Sequence, residues 1–246
     1  MDPRHLEHGH RPGEIAKRLK EGPRVSYLRD WIYGGIDGTV TTFAVVAGVV
    51  GAALSTKALL ILGVANLLAD GFSMAAANFS GTRAEMEEYE HVRNMEERHV
   101  EIAPEGEREE VRQIFQAKGF EGEALDSAVK VITQKRERWI ETMMTEEHGL
   151  PGVSRSPARA ATMTFLAFLL CGSIPLLPFI AGAPASLWIS TLMTGVTFFS
   201  IGSLRSHWSP APWWRAGLET FVIGIIAAFV AYLVGVILSG LVSSAG

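Results

Sequence analysis

The amino-acid sequence predicts an all-α membrane protein with five transmembrane helices and a three-helix cytosolic insert between helices two and three. One observation is that residues 160–204 contain no Asp, Glu, Lys or Arg. Another is an acidic middle segment, residues 83–156, which holds 18 of the 26 acidic and 11 of the 22 basic residues. Its net charge is −7, whereas the rest of the chain carries +3. We therefore predict an N-terminal segment 1–30, helices in 31–82, the insert in 83–156 and helices in 157–246.

The first two transmembrane helices are predicted at residues 31–55 and 58–80, on either side of a short polar turn. Both are long enough, because about 20 mostly apolar residues cross the hydrocarbon core of a bilayer. The first contains one acidic residue, Asp37, and the second also contains one, Asp70. Small residues such as Gly34 lie near these carboxylates and would let neighbouring helices approach closely.

The last three transmembrane helices are separated by prolines and glycines. The charge-free stretch is too long for one span, and the sequence Gly182-Ala183-Pro184 is the natural break within it. Pro175 and Pro178 are predicted to distort the third helix, which neighbouring helices can tolerate. Helices three, four and five are predicted at residues 158–181, 185–204 and 214–241.

The distribution of positive charge predicts the orientation of the chain in the membrane. Lys and Arg are concentrated in the N-terminal flank, the insert and the loop between helices four and five, so all three are expected in the cytosol, with the C-terminus opposite. The polar residues 1–29 lack the apolar region of a signal peptide, which also predicts a cytosolic N-terminus. The membrane itself is left open between a vacuole-like compartment and a bacterial plasma membrane. The aromatic residues expected at the membrane interfaces are Trp31, Tyr33, Trp208, Trp213 and Trp214.

Composition excludes several classes of function. An acidic insert argues against nucleic acid as a partner, because binding phosphates needs a basic face. The single cysteine, Cys171, excludes an intrachain disulfide and a cysteine zinc cluster. No nucleotide-binding G-x-x-x-x-G-K-[ST] motif occurs, so an ion gradient is favoured over ATP as the driving force. We expect no enzymatic activity, no catalytic residues and no prosthetic group.

The insert is predicted to form helices at residues 83–101, 105–117 and 121–148. Pro104 ends the first helix, which can continue directly from the second transmembrane helix. About seventy residues make only a thin core by themselves. A second copy of the insert, or the membrane domain, is expected to complete it.

Two carboxylates in the transmembrane helices, Asp37 and Asp70, are the strongest candidates for a functional site. A charged group at membrane depth normally faces a cavity or a partner, so we interpret both as a cation or proton site, or alternatively as structural caps. Met74 lies four residues after Asp70, on the same helical face, which Asn66 and Asn78 continue. Oxygen and thioether ligands together favour a borderline transition ion such as Fe(II) over Mg(II) or Ca(II).

The insert repeats this combination of ligands at helical spacings. Glu96 and His99 are three residues apart, and so are Glu107 and Glu110. Met143 and Met144 lie four and three residues before Glu147. His91 and His148 are interpreted as surface residues. The candidate metal ligands of the insert are therefore Glu96, His99, Glu107, Glu110, Met143, Met144 and Glu147.

Four sequence blocks resemble the vacuolar iron transporter family, which includes yeast vacuolar iron/manganese transporters and plant nodulin-like members. The blocks are DGTVTTFAVVAG at 37–48, LADGFSMA at 68–75, PEGE at 104–107 and MMTEE at 143–147. The number of spans and the position of the insert agree as well. The resemblance therefore covers nearly the whole chain after Val25.

This resemblance implies a homodimer that exchanges Fe(II), and often Mn(II), Co(II) or Zn(II), for protons, so that metal leaves the cytosol. It implies a membrane pathway through Asp37 and Met74. It also implies two glutamates on the first insert helix: Glu96 fits one, and the other falls near His99, or near Glu101 if the helix register slips. The remaining implied ligands of the insert are Glu107, Glu110, Met143, Met144 and Glu147. Ile36 departs from the family, where many members have Asn.

Two alternatives stay open at this point. One is a membrane-anchored di-iron ferroxidase, since Glu88–His91 and Glu96–His99 both have the E-x-x-H spacing of di-iron helices. Both pairs lie on one helix, whereas a di-iron bundle needs them on two. The other is a passive metal channel or a metal sensor. Glu219, the one acidic residue of the last span, has no predicted role.

Overall fold

The computed structural model describes residues 9–22, 25–152, 155–206 and 211–245, and these are helical with short connections. Trp208, one of the predicted interfacial aromatic residues, lies outside the described residues. The helices are α1 (Pro12–Glu21), α2 (Leu28–Gly51), α3 (Thr56–Ile102), α4 (Pro104–Ala117), α5 (Gly122–Thr133), α6 (Arg136–Glu146), α7 (Pro157–Ser173), α8 (Leu177–Ile180), α9 (Ser186–Arg205) and α10 (Trp213–Ala245).

Among the described residues, five helical segments are long and apolar enough to cross a membrane, which confirms the predicted number. They are Leu28–Gly51, the apolar part of Thr56–Ile102, Pro157–Ile180, Ser186–Arg205 and Trp213–Leu241. The last has a mean hydropathy of 2.8 but buries little of its surface within the chain. Its large exposed side chains include Ile226, Phe229 and Leu233. Because exposing such groups to water is unfavourable, this surface is expected to contact lipid.

The chain forms two compact units, which we call the membrane unit and the insert unit. The membrane unit contains residues 27–84 and 156–246, and the insert unit contains the described parts of 1–26 and 85–155. The insert unit therefore includes α1, a short helix in the N-terminal segment that was not predicted from the sequence. None of the side chains of α1 is buried.

In the membrane unit, α2 lies directly against the backbone of α7. A Cβ atom added at Gly34 would come within 2.3 Å of the Thr164 carbonyl oxygen, and one at Gly38 within 2.5 Å of that of Phe168. On the opposite side of the contact, a Cβ at Gly172 would lie 2.7 Å from the carbonyl oxygen of Gly38. Glycine is therefore required along this contact, as expected for close packing of membrane helices.

The third span is irregular at its two prolines, as predicted. It passes from α7 through a 3₁₀ turn at Ile174–Leu176 into the short α8. A proline within a helix removes a backbone hydrogen bond, which leaves a carbonyl to be satisfied elsewhere. The hydroxyl of Ser190, on α9, donates to the carbonyl oxygen of Pro175 over 2.7 Å. The distortion is thus stabilised by the following span.

Glu219 on α10 pairs with Arg205 at the end of α9. The Nη2 atom of Arg205 lies 2.5 Å from the Oε2 atom of Glu219, and both side chains are exposed. The pair joins the ends of two consecutive helices. This contact gives Glu219 a structural partner that was not identified from the sequence.

The prediction of one continuous third insert helix over residues 121–148 is wrong, because the chain turns between α5 and α6. Lys135 is extended, with φ −119° and ψ 120°, and Arg138 Nη1 donates to the Val131 carbonyl oxygen at the end of α5 over 2.8 Å. An unbroken helix of this length would be about 42 Å long. The turn instead places Leu125 and Trp139 in the same hydrophobic core. Its buried members are Val111, Leu125, Val129, Trp139 and Met143.

Candidate metal-binding sites

Asp37 on α2 and Asp70 on α3 are half-buried, and their carboxylates interact electrostatically with one another. The structure thus brings together the two acidic residues that the sequence placed in separate spans. Met74, one turn after Asp70, is also half-buried. Two carboxylates of the same sign in an apolar environment repel each other, so a bound cation or proton would stabilise the pair.

The predicted polar face of α3 divides into two parts. Asn78 forms a buried network near one end: its Nδ2 atom donates to Asp30 Oδ1 over 2.9 Å and to Thr164 Oγ1 over 2.6 Å. Asn66 lies more than three helical turns away, near Asp70, and its buried amide nitrogen has no hydrogen-bond partner among the described residues. Asn78 is therefore a structural residue in this conformation, whereas Asn66 lies with Asp70 and Met74 along the remaining part of the face.

Asp30 is a buried carboxylate that was missed at the level of sequence. It was assigned to the polar flank before the first span, yet α2 begins at Leu28 and Asp30 is 3% exposed. A signal was available, because Asp30 precedes Asp37 by seven residues and so shares its helical face. Hydropathy alone does not detect this relationship.

In the insert unit, four side chains from three segments of the chain meet around Glu96. His148 Nε2 lies 3.0 Å from Glu96 Oε1, and 3.7 Å from Glu147 Oε2. His99 Nδ1 lies 3.8 Å from Glu96 Oε1, and 3.4 Å from Glu107 Oε1. Two groups that could hold a metal ion result, Glu96–Glu147–His148 and Glu96–His99–Glu107, with ligand atoms within 4.8 Å of one another in each. Glu96 belongs to both.

The two most buried carboxylates of this cluster are not fully satisfied. Glu96 is 2% exposed and Glu107 is 4% exposed. The Oε2 atom of each is buried and receives no hydrogen bond from any described donor. A buried ionised oxygen without a partner is unfavourable, so the site is chemically suited to a cation.

The titration of Glu107 reflects the same excess of negative charge. Burial first, and then repulsion by Glu110, Glu96 and Glu147, raise the pKa of the Glu107 carboxyl from 4.5 to about 7. A hydrogen bond that its protonated form shares with Glu96 adds to the increase. Without metal, protonation of Glu107 relieves the repulsion between the carboxylates. A bound divalent ion would relieve the same repulsion.

The pKa of Glu147 changes in the same direction and for the same reasons. Burial is the main cause that raises the pKa of its carboxyl, and repulsion by Glu110 and Glu96 contributes. The two histidines act in the opposite direction, His148 more strongly than His99. Glu110 is exposed, but its charge acts on both Glu107 and Glu147. It therefore belongs to the electrostatic environment of the cluster.

Met143 and Met144, on α6, are both buried. Met143 packs with Trp139 and Val111 in the hydrophobic core of the insert unit. This contact stabilises the hydrophobic core of the insert unit. A ligand role for either methionine stays a prediction.

Two expectations about individual residues change with the structure. His148 was interpreted as a surface residue, yet it is 22% exposed and hydrogen-bonded to Glu96. Its position directly after Glu147, a predicted ligand, could have indicated this contact, because α6 ends at Glu146. His99, and not Glu101, lies beside Glu96: Glu101 is exposed and its nearest charged partner is Arg136, at 3.9 Å. His91 is exposed, as expected.

Comparison with known proteins identifies the family. A family model described as the VIT family matches residues 28–236. The chain belongs to the VIT family. The match includes the first four candidate spans, most of the fifth and the complete Glu96 cluster, so the resemblance seen in the sequence blocks is confirmed over most of the chain.

Named relatives of this VIT-family chain occur in distant organisms. It is 32% identical to a vacuolar iron transporter of Toxoplasma gondii, over 86% of this chain and 74% of the relative. It is 31% identical to vacuolar iron transporter 1 of Arabidopsis thaliana, over 83% of each chain. A vacuolar iron transporter of Plasmodium falciparum is 28% identical, over 88% of this chain and 84% of the relative.

Proposed function

We propose that this VIT-family protein is an integral membrane transporter that moves Fe(II) out of the cytosol in exchange for protons. Mn(II), Co(II) and Zn(II) are further proposed substrates. The observation that carries the proposal is the pair of buried, unsatisfied carboxylates Glu96 and Glu107 in a chain whose other unit consists of apolar spans. The names of its relatives support iron as the transported ion.

The insert unit collects the ion in this proposal. Its cluster combines carboxylate oxygens with imidazole nitrogens and has thioethers nearby, a set of ligands that suits borderline divalent ions. The Lys and Arg residues of the flanks support a cytosolic insert and N-terminus. The cluster would then meet its metal in the cytosol, which is the side from which the ion departs.

The membrane unit provides the pathway. Asp37 and Met74 bind the ion at membrane depth, with Asp70 beside them. We propose that two copies of the chain form a homodimer and that the pathway lies at their interface. In one copy these three residues are only half-buried, which leaves part of each side chain available to a second copy.

Proton exchange follows from the chemistry of a carboxylate in an apolar environment. Such a group holds either a proton or a metal ion, because metal binding requires the deprotonated form. Proton entry from the far side of the membrane neutralises Asp37 or Asp70 and weakens metal binding there. The ion is released, and the proton moves to the cytosol in return.

The experiment is Fe(II) uptake into proteoliposomes with a pH-sensitive dye inside. Uptake accompanied by proton efflux, and accelerated by an acidic interior, is the expected result. Metal flux that is independent of the pH gradient would indicate a passive channel and overturn the exchange. Oxygen consumption with Fe(II) in the absence of uptake would instead favour a ferroxidase.

A further inference from the structure

We propose that His99 and His148 are direct metal ligands, and that they make the insert site select ions that prefer imidazole, such as Zn(II), Co(II) and Fe(II), over Mn(II). This selectivity of the insert site rests on the proposed function in one respect, that the ion bound there is the ion that is transported. His148 in particular is a ligand that was not predicted from the sequence.

The distances between the imidazole nitrogens and the carboxylate oxygens are close to those of a metal site. Around a tetrahedral ion with bonds of about 2.1 Å, neighbouring ligand atoms lie about 3.4 Å apart. The His99 Nδ1 atom lies 3.4 Å from Glu107 Oε1, and His148 Nε2 lies 3.0 Å and 3.7 Å from the oxygens of Glu96 and Glu147. Each imidazole therefore lies near two carboxylates at a distance close to that between neighbouring ligands of one metal ion.

The two histidines cannot by themselves balance the charge of this cluster. Four carboxylates interact here, those of Glu96, Glu107, Glu110 and Glu147. Even with both imidazoles protonated, a net negative charge would be left. The Oε2 atoms of Glu96 and Glu107 would still receive no hydrogen bond, since the histidines face the Oε1 atoms. A metal ion satisfies these buried oxygens, and neutral imidazoles can then bind it.

The position of Glu96 indicates how the imidazoles share the site. Glu96 belongs to both candidate groups, and each group contains one histidine. Both imidazoles thus lie near the same oxygen of the shared carboxylate, Glu96 Oε1, at 3.8 Å for His99 and 3.0 Å for His148. Any ion bound at Glu96 has at least one nitrogen ligand within reach, so nitrogen ligation is a property of the whole cluster.

Selectivity follows from ligand type. Carboxylate and water ligands suit Mg(II), Ca(II) and Mn(II), whereas imidazole suits Zn(II), Fe(II), Ni(II) and Cu(II). With glutamates alone, the cluster would be an oxygen site with little preference against Mn(II). Replacing oxygen by nitrogen at two positions strengthens binding of the imidazole-preferring ions more than that of Mn(II).

The test measures binding of Zn(II), Co(II) and Mn(II), each as the metal alone, to the full-length protein in detergent. His99→Glu and His148→Glu are compared with His91→Glu, an exposed histidine on the same helix as His99. We expect each of the first two to lower the ratio of Zn(II) to Mn(II) affinity by about ten-fold or more. The visible absorption of bound Co(II) should change as well, whereas the control should match the unmodified protein.

An unchanged affinity ratio and an unchanged Co(II) spectrum in both variants would overturn the proposal. If either carboxylate variant misfolds, as judged by circular dichroism and thermal unfolding, His99→Gln and His148→Gln provide neutral replacements with the same expectation. Failure of Fe(II)–proton exchange in proteoliposomes would overturn the proposed function alone, since metal selectivity is measured without a gradient.

Discussion

The side-chain amide of Asn78 on α3 donates at once to Asp30 on α2 and to Thr164 on α7, over 2.9 Å and 2.6 Å. The Thr82 hydroxyl in turn donates to the side-chain oxygen Oδ1 of Asn78 over 3.3 Å. A single polar side chain therefore connects three of the five spans. The Asp30 carboxylate, which is buried, depends on this amide for one of its hydrogen bonds.

Replacing this amide should destabilise the membrane unit. Asn78→Leu removes a hydrogen bond to a charged acceptor, for which we expect a loss of about 1.5–3 kcal/mol and a lower apparent Tm in detergent. Asn94→Leu is the matched control, because Asn94 is exposed on the same helix. Equal Tm values for the two variants would show that the network contributes nothing to stability.

The thioether of Met74 should be needed for transport. Met74→Leu keeps the volume and apolar character but removes the sulfur, so we expect slower Fe(II) uptake in proteoliposomes with unchanged thermal stability. Met163→Leu on α7 is the control, since Met163 is exposed on the surface of the membrane unit. Uptake by Met74→Leu at the rate of the control would exclude a ligand role for the sulfur.

The Asp37 carboxylate should be essential for the same activity. Asp37→Asn retains the shape and a carbonyl oxygen but cannot exchange a proton for a metal ion. We expect uptake and the associated proton efflux to fall together to the level of empty vesicles. Uptake that persists without proton movement would indicate that Asp37 carries the proton only, and that metal passes by other ligands.

Stability of the metal-free insert unit should fall as pH rises. The pKa of Glu107 is about 7 in the folded state and 4.5 in the reference state, so the folded protein binds more protons between these values. Stability is then lost as the pH rises from about 4.5 through 7. We expect a higher apparent Tm at pH 5.5 than at pH 8, measured by the intrinsic tryptophan fluorescence of the protein with a chelator present.

Glu107→Gln tests the cause, because a side chain that stays neutral cannot respond to pH. The difference in Tm between the two pH values should shrink in this variant, whereas Glu141→Gln, an exposed residue of α6, should preserve it. Added divalent metal should raise the Tm more at pH 8 than at pH 5.5, since metal and proton compete for the same oxygens. A metal effect that is independent of pH would contradict this competition.

Glu96 should matter more for metal binding than any other carboxylate of the cluster. It belongs to both candidate groups, whereas Glu147 and Glu107 each belong to one. We expect Glu96→Gln to weaken Zn(II) binding by about 10–100-fold and to abolish any second bound equivalent in calorimetry. Glu147→Gln should affect one group only. Equal losses in the two variants would show that Glu96 is not shared.

The membrane part of the fold was predictable because charge distribution reports directly on the spans. A charge-free stretch as long as residues 160–204 is rarely compatible with a water-soluble fold, and the two prolines within it marked the distortion correctly. The turn between α5 and α6 was not predictable in the same way. It depends on where Trp139 packs and on which carbonyl Arg138 reaches, and neither follows from local periodicity.

The candidate metal ligands were predicted only in part, because spacing along one helix can be read from the sequence and tertiary contacts cannot. Spacing on one helix identified Glu96 with His99, but only the tertiary structure places His148 against Glu96 from another segment. Asp30 was missed because hydropathy treats a carboxylate near a helix end as flanking sequence. Its burial results from the contacts of Asn78 and Thr164, which lie 48 and 134 residues further along the chain.

The glycine contact between α2 and α7 has a mechanical consequence. At Gly34, Gly38 and Gly172 the two backbones lie too close to leave room for a Cβ atom, so sliding one helix past the other would bring larger side chains into the contact. We therefore expect α2 and α7 to travel as one rigid body during any cycle of alternating access. The carboxylate of Asp37 would be carried on this fixed frame, and opening towards either side would come from movement of the other spans against it.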